Sequence, residues 1–237
     1  MAPTLAALAF AGAVSLAVSS VDAHGTLIKP ALTFTGTGYG GNFQSDIPMN
    51  SLTPPSGETF TNYPDYSKNA AAFARALESS EYKSLKEFMY SKQDMSKGRF
   101  NMPKTAECGF TDPTGGAVQP LPDMVEWSGG QMIHDGPCEI WCDDVVAMPF
   151  TPNCRATYSD GKFPYAKAKC EGKKRLTMYW LGTLLEWQVY IDCAKIGEGG
   201  AAASNNTAAI VAAAKKGPSS FGSANSYVPV GTVRAAV

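Results

Sequence analysis

Hydrophobic residues recur at helical spacing in one part of the chain, between residues 67 and 92. The apolar positions of the first half follow the i, i+3, i+4, i+7 pattern of one buried face: Ala70, Phe73, Ala74 and Leu77. After a break at Ser79 and Ser80 the pattern resumes with Leu85, Phe88 and Met89. The spacing therefore predicts two short amphipathic helices.

From about Cys108 to Cys193 the pattern changes to short extended runs separated by Gly, Pro and Asn. The clearest runs are 175–181 and 184–193, with Gly182 and Thr183 as the turn between them. Strict alternation in the second run puts Gln188 and Tyr190 on one face. The opposite face, directed to the core, holds Trp187, Val189, Ile191 and Cys193. This half of the chain predicts an antiparallel β-sandwich.

The two ends of the chain differ in composition from its middle. Residues 1–23 combine an apolar stretch with a small-x-small cleavage site, which predicts a secretory signal peptide and an exported protein. Residues 24–196 form the predicted globular domain. Residues 197–237 are rich in Ala, Ser, Gly and Val, which predicts a flexible tail. This tail holds the only N-glycosylation sequon, at Asn205.

Six cysteines lie in the exported part of the chain, and an even count in an oxidising compartment predicts three disulfides. Their pairing is open among 15 combinations. They are Cys108, Cys138, Cys142, Cys154, Cys170 and Cys193. A zinc site built from His134, Cys138 and Cys142 is the alternative, which export disfavours.

Charge and composition exclude several classes of function. The 237 residues carry 20 Lys and Arg against 21 Asp and Glu, so no global charge favours nucleic acid or a membrane surface. With 44% hydrophobic and 17% charged residues, the chain is not disordered throughout. The glycine-rich run 36–41 has the spacing of a dinucleotide-binding loop, but it lacks a flanking strand and helix and is interpreted as a turn.

Only two histidines occur in the chain, and one of them has a special position. Cleavage after Ala23 makes His24 the first residue, so that its α-amine and imidazole can chelate one metal ion together. His134 is the one other imidazole that can supply a third nitrogen. Three nitrogen donors suit Cu(II), which also leads the divalent affinity order.

These motifs resemble those of the copper-dependent lytic polysaccharide monooxygenases. The motifs that carry the resemblance are His24-Gly25, the His134-Asp135-Gly136-Pro137 run and the Gln188-Val189-Tyr190 strand. The layout from His24 to Cys193 is most similar to the oomycete pectin-active group, auxiliary activity family 17. The resemblance implies an immunoglobulin-like β-sandwich with the helices as a loop insertion. It also implies copper held by His24 and His134, Tyr190 at the axial position, and Gln188 beside an oxygen ligand.

The activity that the resemblance implies is oxidative cleavage of glycosidic bonds in pectin (homogalacturonan) during attack on plant cell walls. It needs one copper ion, an external electron donor, and O₂ or H₂O₂, in a secreted monomer that binds neither nucleic acid nor membrane. Cellulose and chitin are alternative substrates. A non-catalytic copper-binding protein with an acidic ligand at Asp135 or Asp192, or a carbohydrate-binding protein with incidental histidines, is the alternative function. The basic stretch 162–175 either contacts uronate carboxylates or is a solvated loop.

Overall fold

A computed structural model describes residues 24–37, 41–61, 68–128, 131–184 and 186–197. The predicted signal peptide 1–23, the tail from residue 198 and its sequon at Asn205 lie outside these ranges. Part of the glycine-rich run also does, at residues 38–40. No helix in the described ranges is long and apolar enough to cross a membrane.

Within the described ranges the protein is mainly β, with eight strands in two antiparallel sheets. The strands are β1 Leu27–Lys29, β2 Ser45–Ile47, β3 Val125–Trp127, β4 Cys138–Cys142, β5 Val145–Thr151, β6 Lys162–Phe163, β7 Arg175–Gly182 and β8 Trp187–Lys195. The helices are α1 Asn69–Glu78, α2 Leu85–Lys92 and α3 Cys154–Thr157, with 3₁₀ turns at Met49–Ser51 and Lys167–Cys170. The three-stranded sheet has the order β1-β3-β6, and the five-stranded sheet β2-β8-β7-β4-β5.

The two sheets pack face to face, which confirms the predicted β-sandwich. Buried side chains from both sheets form the core between them, among them Leu27, Val125, Phe163, Ile140 and Met178. The other face of the five-stranded sheet is covered by α1 and α2 over a second core that includes Phe73, Phe88, Tyr179, Trp187 and Ile191. The five-stranded sheet is therefore buried on both faces.

Both predicted helices form, and the serine break between them is confirmed. Leu85, Phe88 and Met89 are completely buried on α2, as their spacing predicts. This helix begins after Ser84, whose side chain accepts a hydrogen bond from the Glu87 N–H at 3.0 Å. On α1 the buried stripe includes Ala76, whereas Ala74 is only half-buried.

Strand β8 begins three residues later than the sequence predicts. The alternation predicts one strand over 184–193 after a two-residue turn, but β8 starts at Trp187. The physical reason is that Thr183 turns away from the sheet: its N–H and its hydroxyl both donate to the Asp135 carbonyl, each at 3.0 Å. The hairpin loop is longer as a result. The alternation along β8 is confirmed, but both of its faces are buried: Tyr190 packs in the core between the two sheets, whereas Trp187, Val189 and Ile191 pack under the helices.

The six cysteines form three disulfides, as predicted. The pairs are Cys108–Cys193, Cys138–Cys154 and Cys142–Cys170. Two of them fix β4 to segments that follow it in the chain, and the third fixes a loop to β8. Because Cys138 and Cys142 are both bonded to other cysteines, the alternative zinc site with His134 is wrong.

A buried carboxylate on β4 stabilises the start of α2. Glu139 accepts hydrogen bonds from the Leu85 N–H at 2.9 Å, the Lys86 N–H at 3.3 Å and the Trp141 indole N–H at 2.8 Å. Burial raises the pKa of Glu139 above its ordinary value of 4.5, and these hydrogen bonds offset the rise only in part.

This raised pKa predicts a pH-dependent stability. Above pH 4.5 the unfolded chain releases the Glu139 proton while the folded protein still holds it, so the folded state loses stability as pH rises. We expect the free energy of unfolding of the wild type, minus that of Glu139→Gln, to fall by at most about 1.4 kcal/mol per pH unit in this window. Urea unfolding at several pH values measures it. A difference that stays constant or rises with pH would contradict the prediction.

Candidate metal centre

The first component of the site is the turn that carries His134, immediately before β4. Hydrogen bonds to the β7–β8 hairpin hold this turn: the Leu181 N–H donates to the Pro137 carbonyl at 3.1 Å, and Thr183 donates twice to Asp135. The His134 ring stacks on the Trp180 indole with a centroid distance of 6.0 Å. The ring therefore has a fixed orientation at one end of the five-stranded sheet.

The second component is the segment 24–26, which leads into β1 and is called the His24 arm below. The Thr26 N–H donates to the Ser128 hydroxyl at 2.9 Å, and the Ser128 N–H donates to the Thr26 carbonyl at the same distance. Gly25 packs so closely on Trp127 that a Cβ at this position would overlap the indole nitrogen. The arm thus lies against the end of β3.

The fold brings the two histidines together although 110 positions separate them in the sequence. Their ring centroids lie 5.8 Å apart with an angle of 72° between the ring planes. The Nε2 atom of His134 is buried and has no hydrogen-bond partner among the described residues. Since bonds from imidazole nitrogen to a metal are about 2 Å long, this spacing suits one ion between the rings.

Burial also selects the protonation state of His134 that can bind a metal. Desolvation, together with the neighbouring His24 and Arg155 and against the opposing effect of Asp135, lowers the pKa of His134 to about 4. At neutral pH the ring is therefore uncharged, with a lone pair on one nitrogen. Neutral imidazole is the form that ligates metals.

Tyr190 and Gln188 lie at the same site, on the face of β8 that points into the sandwich. The Tyr190 ring is almost completely buried, stacks on Trp180 at 4.2 Å and lies 6.3 Å from the His24 ring. Its hydroxyl donates to the Gln188 carboxamide oxygen at 2.9 Å. That bond leaves the Gln188 NH₂ group as the hydrogen-bond donor of this side chain.

Two acidic residues that the sequence offered as metal ligands have other partners. Asp135 accepts hydrogen bonds from Asn153 at 3.0 Å and from Arg155 at 3.4 Å. Asp192 accepts from Leu27 and Thr26, and burial raises its pKa to about 6. Among the described residues, no three His, Cys, Asp or Glu side chains are placed to hold one metal ion.

The basic stretch 162–175 ends far from the histidines. Trp180 contacts His134, whereas Arg175 lies five residues earlier on the same strand, which is about 16 Å at the usual rise of a strand. Lys167 in this stretch forms an ion pair with Asp123 at 2.9 Å. These positions favour the solvated-loop interpretation for Lys167, whereas Arg175 is half-buried on β7.

Sequence reasoning missed several residues of this site. Trp180 connects His134 to Tyr190, and Phe43 lies 6.2 Å from the His24 ring and 6.4 Å from the Tyr190 ring. Arg155 and Asn153 hold the Asp135 side chain. The alternation in β7 could have placed Trp180 on an inward face, but no sequence signal points to the three other residues.

Comparison with known proteins adds no assignment: no family model matches the chain, and no curated protein matches it. Any functional assignment of the candidate site therefore has to be argued from its residues and their geometry.

The Tyr190 hydroxyl provides a limited test of this arrangement. In Tyr190→Phe the ring remains stacked on Trp180, but the Gln188 oxygen loses its donor. We expect a cost of about 1 kcal/mol in the free energy of unfolding, with copper affinity changed by less than about threefold. Urea unfolding and metal titration measure the two quantities. A large loss of copper affinity would show that the hydroxyl, rather than the ring, is what the site needs.

Proposed function

We propose that the protein is a secreted copper-dependent monooxygenase that cleaves polysaccharide chains oxidatively. The observation that carries this proposal is the convergence of four side chains, His24, His134, Gln188 and Tyr190. In addition, the buried Nε2 atom of His134 has no hydrogen-bond partner in the described part of the chain. Their order along the chain resembles that of the lytic polysaccharide monooxygenases. Pectin, in the form of homogalacturonan, is the first substrate to test because that resemblance is closest to the pectin-active group.

The donor set fits copper. Once the chain begins at His24, its α-amine and ring supply two nitrogens, and His134 supplies the third. Bound copper provides one-electron redox chemistry with an external reductant and with O₂ or H₂O₂.

The protein's own side chains shape the space beside the metal. The buried Tyr190 ring excludes water from one side of the His24 ring. Because the Gln188 oxygen accepts the hydrogen bond of the Tyr190 hydroxyl, the NH₂ group of Gln188 is the donor that this side chain can offer to an oxygen ligand. Trp180 stacks on both the His134 ring and the Tyr190 ring, and this fixes the two rings relative to each other.

Mass spectrometry of soluble products tests the proposal. The protein beginning at His24 is loaded with copper and incubated with polygalacturonate, cellulose or chitin, with and without ascorbate. We expect oxidised oligogalacturonides only when copper and ascorbate are both present, and none from His134→Ala, which lacks one ligand. Oxidised products from cellulose or chitin alone would retain the enzyme and change the substrate.

Two negative results would have different meanings. Tight copper binding with no oxidised product from any polysaccharide would favour the non-catalytic copper-binding alternative. A protein that binds no copper would contradict the metal site itself.

A further inference from the structure

Strand β8 places three polar side chains on the same face. Gln188, Tyr190 and Asp192 occupy positions i, i+2 and i+4, so all three point toward the three-stranded sheet. The first two belong to the proposed copper site. Asp192 is only 6% exposed and is paired in register with Met178 on β7.

The Asp192 carboxylate binds the arm that carries His24. Its Oδ2 atom accepts a hydrogen bond from the Leu27 N–H at 2.9 Å and another from the Thr26 hydroxyl, also at 2.9 Å. No described residue forms an ion pair with it. A buried charge is costly unless hydrogen bonds compensate it, and here the arm provides two of them.

These bonds connect the arm to a different sheet from the one that it enters. The arm continues into β1 of the three-stranded sheet, and Ser128 at the end of β3 holds it from that side. Asp192 holds it from the five-stranded sheet, two residues along β8 from Tyr190. Chain termini fray unless they are held in this way.

We infer that Asp192 is a positioning residue, which fixes the His24 arm at the correct distance from Tyr190 for metal binding. The inference rests on the proposed function, because it assumes that His24 holds copper. Asp192 contacts neither substrate nor metal in this assignment. It acts through Thr26 and Leu27.

Two pairs of variants test this role. Thr26→Val removes one donor to Asp192 without changing the shape of the side chain, and Thr26→Ser restores the hydroxyl. Asp192→Ala removes the acceptor, and Asp192→Asn retains an acceptor oxygen. Copper affinity is measured by competition with a chelator, the ligand geometry by the electron paramagnetic resonance (EPR) spectrum of the Cu(II) protein, and folding by the melting temperature of the metal-free protein.

We expect Thr26→Val and Asp192→Ala each to weaken copper binding by about 10-fold or more and to alter the EPR spectrum, as loss of a residue that orients a ligand commonly does. Thr26→Ser and Asp192→Asn should restore most of the affinity and the wild-type spectrum. Because Thr26→Val removes a single hydrogen bond, it remains informative if Asp192→Ala does not fold.

A merely structural role predicts a different pattern. The melting temperature of the metal-free variants would fall, while the copper affinity and the EPR spectrum of the folded fraction would stay those of the wild type. That result overturns the inference and leaves the proposed function intact. A wild-type protein that binds no copper overturns both.

Discussion

A chain with even one extra residue before His24 will bind Cu(II) about 100-fold or more weakly than a chain that begins at His24. In the extended chain the nitrogen of His24 is a peptide amide, which has no lone pair available for a metal. In the processed chain it is an amine with a pKa of about 7.7–8.0, which a metal can deprotonate near neutral pH. Losing an orienting residue commonly costs roughly 10- to 100-fold in affinity, so losing a ligand should cost at least as much.

A removable extension provides the matched control for this experiment. The same preparation is titrated with copper before and after a protease releases the extra residues and exposes His24. Recovery of affinity after cleavage shows that the amine, rather than a folding defect, is responsible. Equal affinity before and after cleavage would mean that copper binds elsewhere or through the imidazoles alone, and the proposed three-nitrogen site would be wrong.

Local patterns in the sequence predicted the parts of this protein that depend on near neighbours. The apolar spacing of Leu85, Phe88 and Met89 is enough to define a buried helix face. Strict alternation placed Gln188 and Tyr190 on one side of β8, and the structure confirms it. Such patterns carry information because each element imposes its own period on the chain.

Contacts between distant segments were not predictable in the same way. The bond between Leu27 and Asp192 joins residues 165 positions apart, and no local pattern specifies it. The disulfide pairing depends on which strands become neighbours, so 15 arrangements were equal before the fold was known. The longer β7–β8 loop has the same origin, because Thr183 bonds to Asp135 on a separate turn.

The candidate site was predictable in part, because its residues could be identified from the sequence but their arrangement could not. Its two histidines were identified because the chain has no others, but their proximity depends on how the His134 turn meets the β7–β8 hairpin. That meeting leaves very little space. Gly136 lies directly against the Leu181 carbonyl, and the Gly136 carbonyl accepts a hydrogen bond from the Cys154 N–H at 2.9 Å.

Gly136→Ala will therefore both destabilise the protein and disturb its metal site. A Cβ at this position would overlap the Leu181 carbonyl oxygen, far inside the 3.0 Å that real Cβ atoms keep. The atoms that the Cβ would meet belong to the main chain of Leu181 and Thr183, so no side-chain rotation can relieve the overlap. We expect a loss of about 3 kcal/mol or more in the free energy of unfolding. The melting temperature should fall by roughly 6–12 °C, and copper affinity should fall with it as His134 moves.

Gly172→Ala is the matched control, because Gly172 has φ +71° and open space around its Cβ position. It adds the same methyl group at a positive φ, so it costs only the conformational penalty of about 1–2 kcal/mol, and it lies at the far end of β7 from His134. The decisive measurement is copper affinity in the folded fraction of both variants. Loss in Gly136→Ala with wild-type affinity in Gly172→Ala ties copper binding to the position of the His134 turn. Equal affinities in the two variants would contradict the link between copper binding and the position of the His134 turn.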